Sequence, residues 1–191
     1  EKEIVNSNDI LLTDYLDKTA IKRLNNGGKV LLSLKKGTLK DEYGGNLAIG
    51  FSSIFWNTSW TNGQAPHTLG ILCNPKHPAL AAFPTEYHSN YQWWDAMTHS
   101  APIRINKVSK EAQPIVRVID DWFSNHPLAL LFEVKIGKGK LLVSGIDFHR
   151  DMQMRPAARQ LLSSLLNYMQ SSDFSPRHIV KIETINDLID K

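Results

Sequence analysis

The first 34 residues contain the pattern that most restricts how this chain can fold. Residues 10–13 and 29–34 are short apolar runs typical of buried strands. Between them, Asp14 is predicted to cap a helix. The apolar positions of that helix recur at helical spacing, at Leu16, Ala20, Ile21 and Leu24. Because Gly27-Gly28 is predicted to end the helix, the pattern indicates a right-handed βαβ unit with two parallel strands.

The rest of the chain predicts that this unit belongs to a larger sheet. Further strands are predicted at residues 69–73, 103–107, 115–119, 128–136 and 140–148. The last two flank Gly137-Lys138-Gly139, a short link typical of an antiparallel hairpin. Helices are predicted at 78–82 and 91–98, and a longer one begins at Pro156. We therefore expect an α/β fold whose mixed, mostly parallel sheet carries helices on both faces.

The length of 191 residues fits one domain, and two stretches fall outside its regular pattern. Residues 37–67 are rich in glycine and are predicted to be a long excursion with little regular structure. Residues 171–191 are predicted to form a C-terminal linker or docking tail. The predicted organisation is one α/β domain over residues 1–170, followed by that segment.

Composition excludes several kinds of partner. A formal net charge of +3 is too small to indicate a nucleic acid, and no apolar run is long enough to span a membrane. The one cysteine, Cys73, leaves no internal disulfide. No cofactor is expected, because Gly27-Gly28 and Gly44-Gly45 match neither the dinucleotide nor the P-loop spacing.

The densest set of chemically active side chains lies in residues 77–95. The candidate binding residues are His77, Glu86, His88, Trp93, Trp94 and Asp95, joined by Trp56 and Trp60 from the glycine-rich excursion. Aromatic faces stack on the apolar faces of sugars, and interleaved polar groups bind hydroxyls. The alternative is that Phe83 and the paired tryptophans anchor the core. The core interpretation is favoured, because tryptophan is usually well buried.

The position of residues 77–95 in the fold depends on the third strand. That strand, residues 69–73, ends directly before the segment. If it is parallel to the first two, the segment emerges at the carboxyl edge of the sheet, where open α/β sheets bind ligands. We therefore expect the segment to form the functional surface at that edge.

A metal centre is not expected among these residues. Imidazole and carboxylate groups such as His77, Glu86 and His88 can bind zinc. However, no His-Glu-x-x-His helix and no Cys-x-x-Cys pair accompanies them. Structural or hydrogen-bonding roles are favoured.

An enzymatic alternative centres on Cys73, which ends a predicted strand and precedes a helix. A nucleophile elbow needs small residues on both sides, but Leu72 and Asn74 flank this cysteine. A Cys73–His149–Asp147 triad therefore ranks below a buried core cysteine, and Asp147 is expected to bond loop amides instead.

Four long stretches of the chain are distinctive. They are LDKTAIKRLNNGGKVLLSL, LGILCNPKHPALAAFPTEYHSNYQWWD, VIDDWFSNHPLALLFEVKIGKGKLLVSGIDF and RPAARQLLSSLLNYM. Together they resemble the C-terminal domain of bacterial family 2 glycoside hydrolases, many of them β-galactosidase-like and typical of gut Bacteroidetes. The resemblance covers residues from about 9 to 185.

The resemblance implies a class I glutamine-amidotransferase-like, flavodoxin-type fold. It also implies a non-catalytic accessory domain of a larger, exported protein at the periplasm or cell surface. The implied partner is the TIM-barrel catalytic domain of the parent glycosidase, with carbohydrate as a further ligand, and an oligomer is compatible with it. No Gly-x-Cys-x-Gly elbow surrounds Cys73, and the paired carboxylates of a retaining glycosidase are not evident.

Three functions therefore remain open. The leading one is the accessory domain, which supports packing, assembly or the substrate site of the hydrolase. The second is an independent carbohydrate-binding module that uses Trp56, Trp60, Trp93 and Trp94. The third is a remnant Cys-His hydrolase. Exposure of the tryptophans separates the first two, and the geometry around Cys73 tests the third.

Overall fold

The computed structural model describes residues 9–51 and 68–189, and this part of the chain contains seven strands. The strands are β1 (Ile10–Thr13), β2 (Lys29–Ser33), β3 (Gly70–Cys73), β4 (Ile103–Arg104), β5 (Pro114–Ile119), β6 (Leu128–Ile136) and β7 (Gly139–Ser144). The α-helices are α1 (Lys18–Asn25), α2 (Trp93–Thr98), α3 (Pro156–Gln170) and α4 (Ile182–Asn186). Short 3-10 helices cover Asp41–Tyr43, Pro78–Leu80, Ile105–Lys107 and Met152–Met154.

The strands form one mixed sheet in the order β1-β2-β7-β6-β5-β3, and β4 pairs with the start of β6. The pairings of β1 with β2 and of β2 with β7 are parallel. The pairings of β6 with β7, β5 and β4, and of β5 with β3, are antiparallel. The predicted mixed α/β fold is confirmed, but antiparallel pairing is more extensive than expected.

The direction of β3 accounts for this difference. β3 is antiparallel to β5, β5 to β6, and β6 to β7, so β3 runs opposite to β1, β2 and β7. The side where β1, β2 and β7 end is the carboxyl edge, and the side where they begin is the amino edge. β3 therefore ends at the amino edge, contrary to the expectation that it would end at the carboxyl edge.

The predicted βαβ unit is present, with one shift at its helix. Asp17, rather than Asp14, caps α1, and its Oδ1 accepts a hydrogen bond of 2.7 Å from the Ala20 amide. Asp14 instead forms an ion pair with Lys35 just beyond β2. A Cβ on Gly139 would lie 2.5 Å from the Leu24 Cα, so glycine is required where α1 packs against the start of β7.

The sheet separates two apolar layers, because alternate residues of a strand face opposite sides. Leu31 and Leu142 face a layer that contains α2, α3 and the 3-10 helix Pro78–Leu80. Val30 and Val143 face a second layer that contains α1 and α4. Helices therefore cover both faces of the sheet, as expected.

The C-terminal segment predicted as a linker or docking tail packs against the domain itself. Its buried side chains are Phe174, Val180, Ile185 and Leu188. Ile179 forms a parallel bridge with Lys135, and Ile189 forms an antiparallel bridge with Leu39. Asp187 accepts a hydrogen bond of 2.7 Å from the Lys40 Nζ. The segment therefore contributes to the core.

Candidate functional site

The candidate residues of segment 77–95 are divided between the two edges of the sheet. The segment starts near the amino edge, where β3 ends, and then runs beside β3. The Cys73 amide donates to the Tyr87 carbonyl at 2.9 Å, and His88 forms a bridge with Leu72. The segment reaches the carboxyl edge at α2, where the Asp147 amide donates to the His99 carbonyl. The prediction of one functional surface at the carboxyl edge is therefore wrong.

Each edge receives some of the predicted site residues. His77 is half-buried toward the amino edge, and Glu86 and His88 are exposed beside β3. At the carboxyl edge α2 carries the last three candidates, Trp93, Trp94 and Asp95. Trp56 and Trp60 lie outside the described residues.

The two adjacent tryptophans of α2 have opposite environments. Trp93 is fully buried, its ring lies edge-on to Phe83, and its Nε1 donates to the Thr85 Oγ1 at 2.7 Å. Trp94 is 58% exposed and stacks on Phe51, with ring centroids 5.0 Å apart. The core interpretation is thus confirmed for Trp93 and Phe83 and is wrong for Trp94.

Trp94 belongs to a surface that we call the aromatic platform, formed by the exposed Tyr91 and Trp94 and the half-buried Phe51 on which Trp94 stacks. Tyr91 is 95% exposed and lies one turn before Trp94, whose amide donates to the Tyr91 carbonyl at 3.1 Å. Exposed Trp and Tyr rings offer large contact areas with a polar end, as sugar-binding and protein-binding surfaces do.

Beneath the platform, Asp95 is held by a buried arginine. The Nε of Arg155 lies 2.8 and 3.1 Å from the two carboxylate oxygens of Asp95, and its Nη1 donates to the Asp147 carbonyl at 2.6 Å. His99 also contacts Asp95, at 3.2 Å. Arg155 is only 4% exposed. These contacts tie α2 to the start of α3, which gives Asp95 a structural role.

Asp147 organises the loop that follows β7. Its carboxylate accepts hydrogen bonds from the backbone amides of His149, Arg150 and Lys36, at 2.8, 3.1 and 3.3 Å. Burial alone would raise the pKa of Asp147, but these amides outweigh it and lower that pKa overall. The expectation that Asp147 bonds loop amides is confirmed.

The Cys73–His149–Asp147 triad is not assembled. Cys73 ends β3 at the amino edge, whereas Asp147 and His149 follow β7 at the carboxyl edge. The Cys73 thiol is buried and donates to the Glu86 carbonyl at 3.3 Å. Burial raises the pKa of this thiol, which disfavours the nucleophilic thiolate. Cys73 is therefore a packed core residue, as favoured from the sequence.

A second candidate site, which the sequence reading missed, is a cleft of about 680 Å³ at the amino edge. We call it the amino-edge cleft, and its charged lining residues are Arg117, Glu133 and Arg177, next to His77 and Tyr87. Two of these residues, Arg117 and Glu133, stand out in the amino-acid sequence. Both are charged residues within predicted strands whose other residues are mostly apolar, which marks them as candidates for a specific role.

Glu133 faces α3 from the middle of β6. Its Oε2 accepts a hydrogen bond of 2.6 Å from the Tyr168 hydroxyl. Burial raises the pKa of Glu133, although the Tyr168 bond and the charge of Lys140 partly oppose this. Burial, together with the hydrogen bond to this carboxylate, raises the pKa of Tyr168. Tyr168 thus remains a neutral donor that holds the carboxylate in place.

No cluster of three or more His, Cys, Asp or Glu side chains suited to a metal ion occurs within residues 9–51 and 68–189. Over the same ranges, no helix has the length and apolar character needed to cross a membrane. Two of the surfaces that the described residues form carry distinctive side chains, an exposed aromatic surface at the carboxyl edge and a charged cleft at the amino edge of the sheet.

These features define an α/β domain with two surfaces of binding character. A family model covers residues 11–190, and the chain belongs to that family, described as "Domain of unknown function (DUF8487)". No curated protein matches the chain.

Proposed function

We propose that the chain is a non-catalytic accessory domain of a family 2 glycoside hydrolase. In this proposal the aromatic platform faces the substrate site of the neighbouring catalytic domain. The four long stretches that resemble such domains support it. The observation that carries it is the exposure of Trp94, in α2, and of Tyr91, in the turn before it, where the Asp95–Arg155 pair anchors α2 to the start of α3.

The anchoring supports a binding role because a rigid ring binds more tightly than a mobile one. Trp94 is restrained by stacking on Phe51, and α2 is restrained by Arg155. Little side-chain entropy is then lost when a sugar ring or a protein surface covers the platform. Trp and Tyr are also the residues that most often dominate binding energies at interfaces.

The finer fold assignment is part of the same proposal. We propose a flavodoxin-type, class I glutamine-amidotransferase-like origin, supported by the parallel β1-α1-β2 unit and by helices on both faces. The antiparallel β3, β5 and β6 are the departure from that pattern. We also propose that the protein is exported to the periplasm or cell surface of a Bacteroidetes bacterium.

The test is a Tyr91→Ala/Trp94→Ala double variant in the full-length hydrolase that carries this domain. We expect kcat/KM for an oligosaccharide to fall roughly tenfold or more, since losing two ring contacts removes more than about 1.4 kcal/mol. The melting temperature should change little, because both rings are exposed.

Tyr15→Ala is the matched control, since Tyr15 is also an exposed tyrosine, 53% accessible, beyond β1 at the other end of the strand order. This variant should keep full activity. Unchanged kinetics and unchanged assembly in the double variant would remove the platform from the function.

An independent carbohydrate-binding module is the second candidate, and the same exposed Trp94 favours it. The two candidates differ in the behaviour of the chain without a catalytic domain. A binding module retards in a gel that contains soluble polysaccharide and loses this retardation with Trp94→Ala. An accessory domain that only completes a neighbour's substrate site shows no retardation.

A further inference from the structure

We propose that the amino-edge cleft binds a small organic anion, a molecule with a carboxylate or phosphate group on a ring or other apolar body. A volume of about 680 Å³ lies within the range of roughly 300–1,000 Å³ typical of small-molecule sites. The cleft lies where β3 ends and β5 begins, and the chain after α3 closes one side. It is separate from the aromatic platform, so the inference does not rest on the proposed function.

Two guanidinium groups give the cleft its preference for anions. Arg117 comes from the middle of β5 and Arg177 from the segment after α3. Among the residues that the structure describes, neither guanidinium has a hydrogen-bond or ion-pair partner. A planar guanidinium matches the two oxygens of a carboxylate or phosphate, and two such groups around one space favour an oxyanion.

The acidic groups near the cleft do not cancel this charge. Glu133 is the one carboxylate in the described lining, where the Tyr168 hydroxyl donates a hydrogen bond to it and the charge of Lys140 partly offsets its own. At the rim, Glu111 lies 3.6 Å from the Nδ1 of His178 and is 83% exposed. The two arginines therefore leave an excess of positive charge that a ligand anion can neutralise.

The remaining wall selects a ligand with an apolar side. Leu72 and Tyr87 both line the cleft, are 47% and 56% exposed, and give it an apolar contact surface. His77 adds a neutral donor, because its Nδ1 accepts from the Ala79 amide at 3.1 Å and its ring hydrogen then resides on Nε2. A ring with one anionic group can use the arginines, the imidazole and this apolar wall together.

Three sugars of similar size test the inference on the intact chain. D-glucuronate carries a carboxylate, glucose 6-phosphate carries a phosphate, and D-glucose carries neither. Titration followed by amide NMR should show that at least one of the two anions shifts the resonances of Cys73, Asn74 and Glu133, whereas glucose does not. The anion with the lower Kd identifies which oxyanion the cleft prefers.

Variants link the binding to the arginines. Arg117→Gln/Arg177→Gln should raise the Kd of the bound anion at least tenfold. Lys22→Gln/Lys107→Gln removes the same two charges from exposed positions outside the cleft and should leave the Kd within about twofold. Glu133→Gln keeps an acceptor for Tyr168 but removes the lining carboxylate, so it should lower the Kd.

Three outcomes would overturn the inference. They are the absence of shifts with both anions, equal shifts with glucose, and an unchanged Kd in the arginine double variant. Because the platform is intact in these variants, each outcome leaves the proposed accessory function untouched.

Discussion

Side chains that are neighbours in sequence have unrelated roles in this protein. α2 turns about 100° per residue, so Trp93 points into the core while Trp94 stacks on Phe51 at the surface. Asp147 shows the same dependence on context. Its carboxylate is 4% exposed, and three backbone amides compensate the cost of burying it. At this scale the environment of a residue decides its role.

Asp147→Ala should lower the free energy of unfolding by about 1–3 kcal/mol at pH 7, because it leaves three partly buried loop amides without their acceptor. The folded pKa of Asp147 is lowered, so the contribution of its carboxylate is complete above the unfolded pKa of about 3.9 and is lost as the pH falls through the folded pKa. Urea unfolding of both proteins at pH 7 and in acid well below pH 3.9 should show a difference that shrinks as the folded carboxylate is protonated. Asp173→Ala, at an exposed position, is the control and should change little. An equal loss at both pH values would contradict the carboxylate's role.

Two elements determine where the surfaces lie. β3 adds to the sheet through β5 and runs opposite to β1, so the chain that follows starts at the amino edge and has to pass beside β3 to reach α2. The C-terminal segment covers the second apolar layer. Asp187 in this segment accepts a hydrogen bond of 2.6 Å from the Tyr43 hydroxyl, which raises the pKa of Tyr43 to about 12. The C-terminal segment therefore packs on the domain through both buried apolar side chains and a side-chain hydrogen bond.

Leu188→Ala tests whether this docking stabilises the fold. Leu188 is completely buried, so the substitution should cost about 2–5 kcal/mol of unfolding free energy. Ile179→Ala is the matched control in the same segment, since Ile179 is 73% exposed and its loss should cost less than about 0.5 kcal/mol. Chemical unfolding of both variants gives the comparison. Equal stability of the two would show that the segment is a tail without a structural role.

At the scale of the whole molecule, the sheet separates two kinds of surface. The carboxyl edge presents aromatic rings on and just before an anchored helix, and the amino edge presents a cleft lined by Arg117 and Arg177. Between them, the residues that could form a catalytic triad are placed at opposite edges. This arrangement is consistent with the two binding surfaces proposed above.

The purified chain should therefore not hydrolyse an aryl β-galactoside. Retaining glycosidases need two carboxylates about 5–5.5 Å apart across the scissile bond, whereas Asp95, Asp147 and Glu133 are engaged by Arg155, by loop amides and by Tyr168. A chromogenic assay of the purified chain, with the full-length hydrolase as the positive control, gives the measurement. Sustained hydrolysis of the aryl β-galactoside by the chain alone, abolished by Glu133→Gln, would contradict the proposal that the domain is non-catalytic.

The sequence by itself determined the local elements, because their signals are local. Apolar runs, the glycine pair and Pro156 located β1, α1, β2, the β6–β7 hairpin and α3 to within a few residues. The mixed α/β class followed from their order. The burial of Cys73 and the amide-binding role of Asp147 were also predicted correctly, since both follow from residue type and immediate neighbours.

Only the tertiary structure decided the direction of β3 and hence the positions of the candidate residues. A short apolar run is equally compatible with parallel and antiparallel pairing, because its partner is 40 or more residues away in sequence. The amino-edge cleft could not be predicted for the same reason, since its residues are far apart in sequence. Arg117, Glu133 and Arg177 meet only after β5, β6 and the C-terminal segment have packed, and no local pattern encodes that meeting.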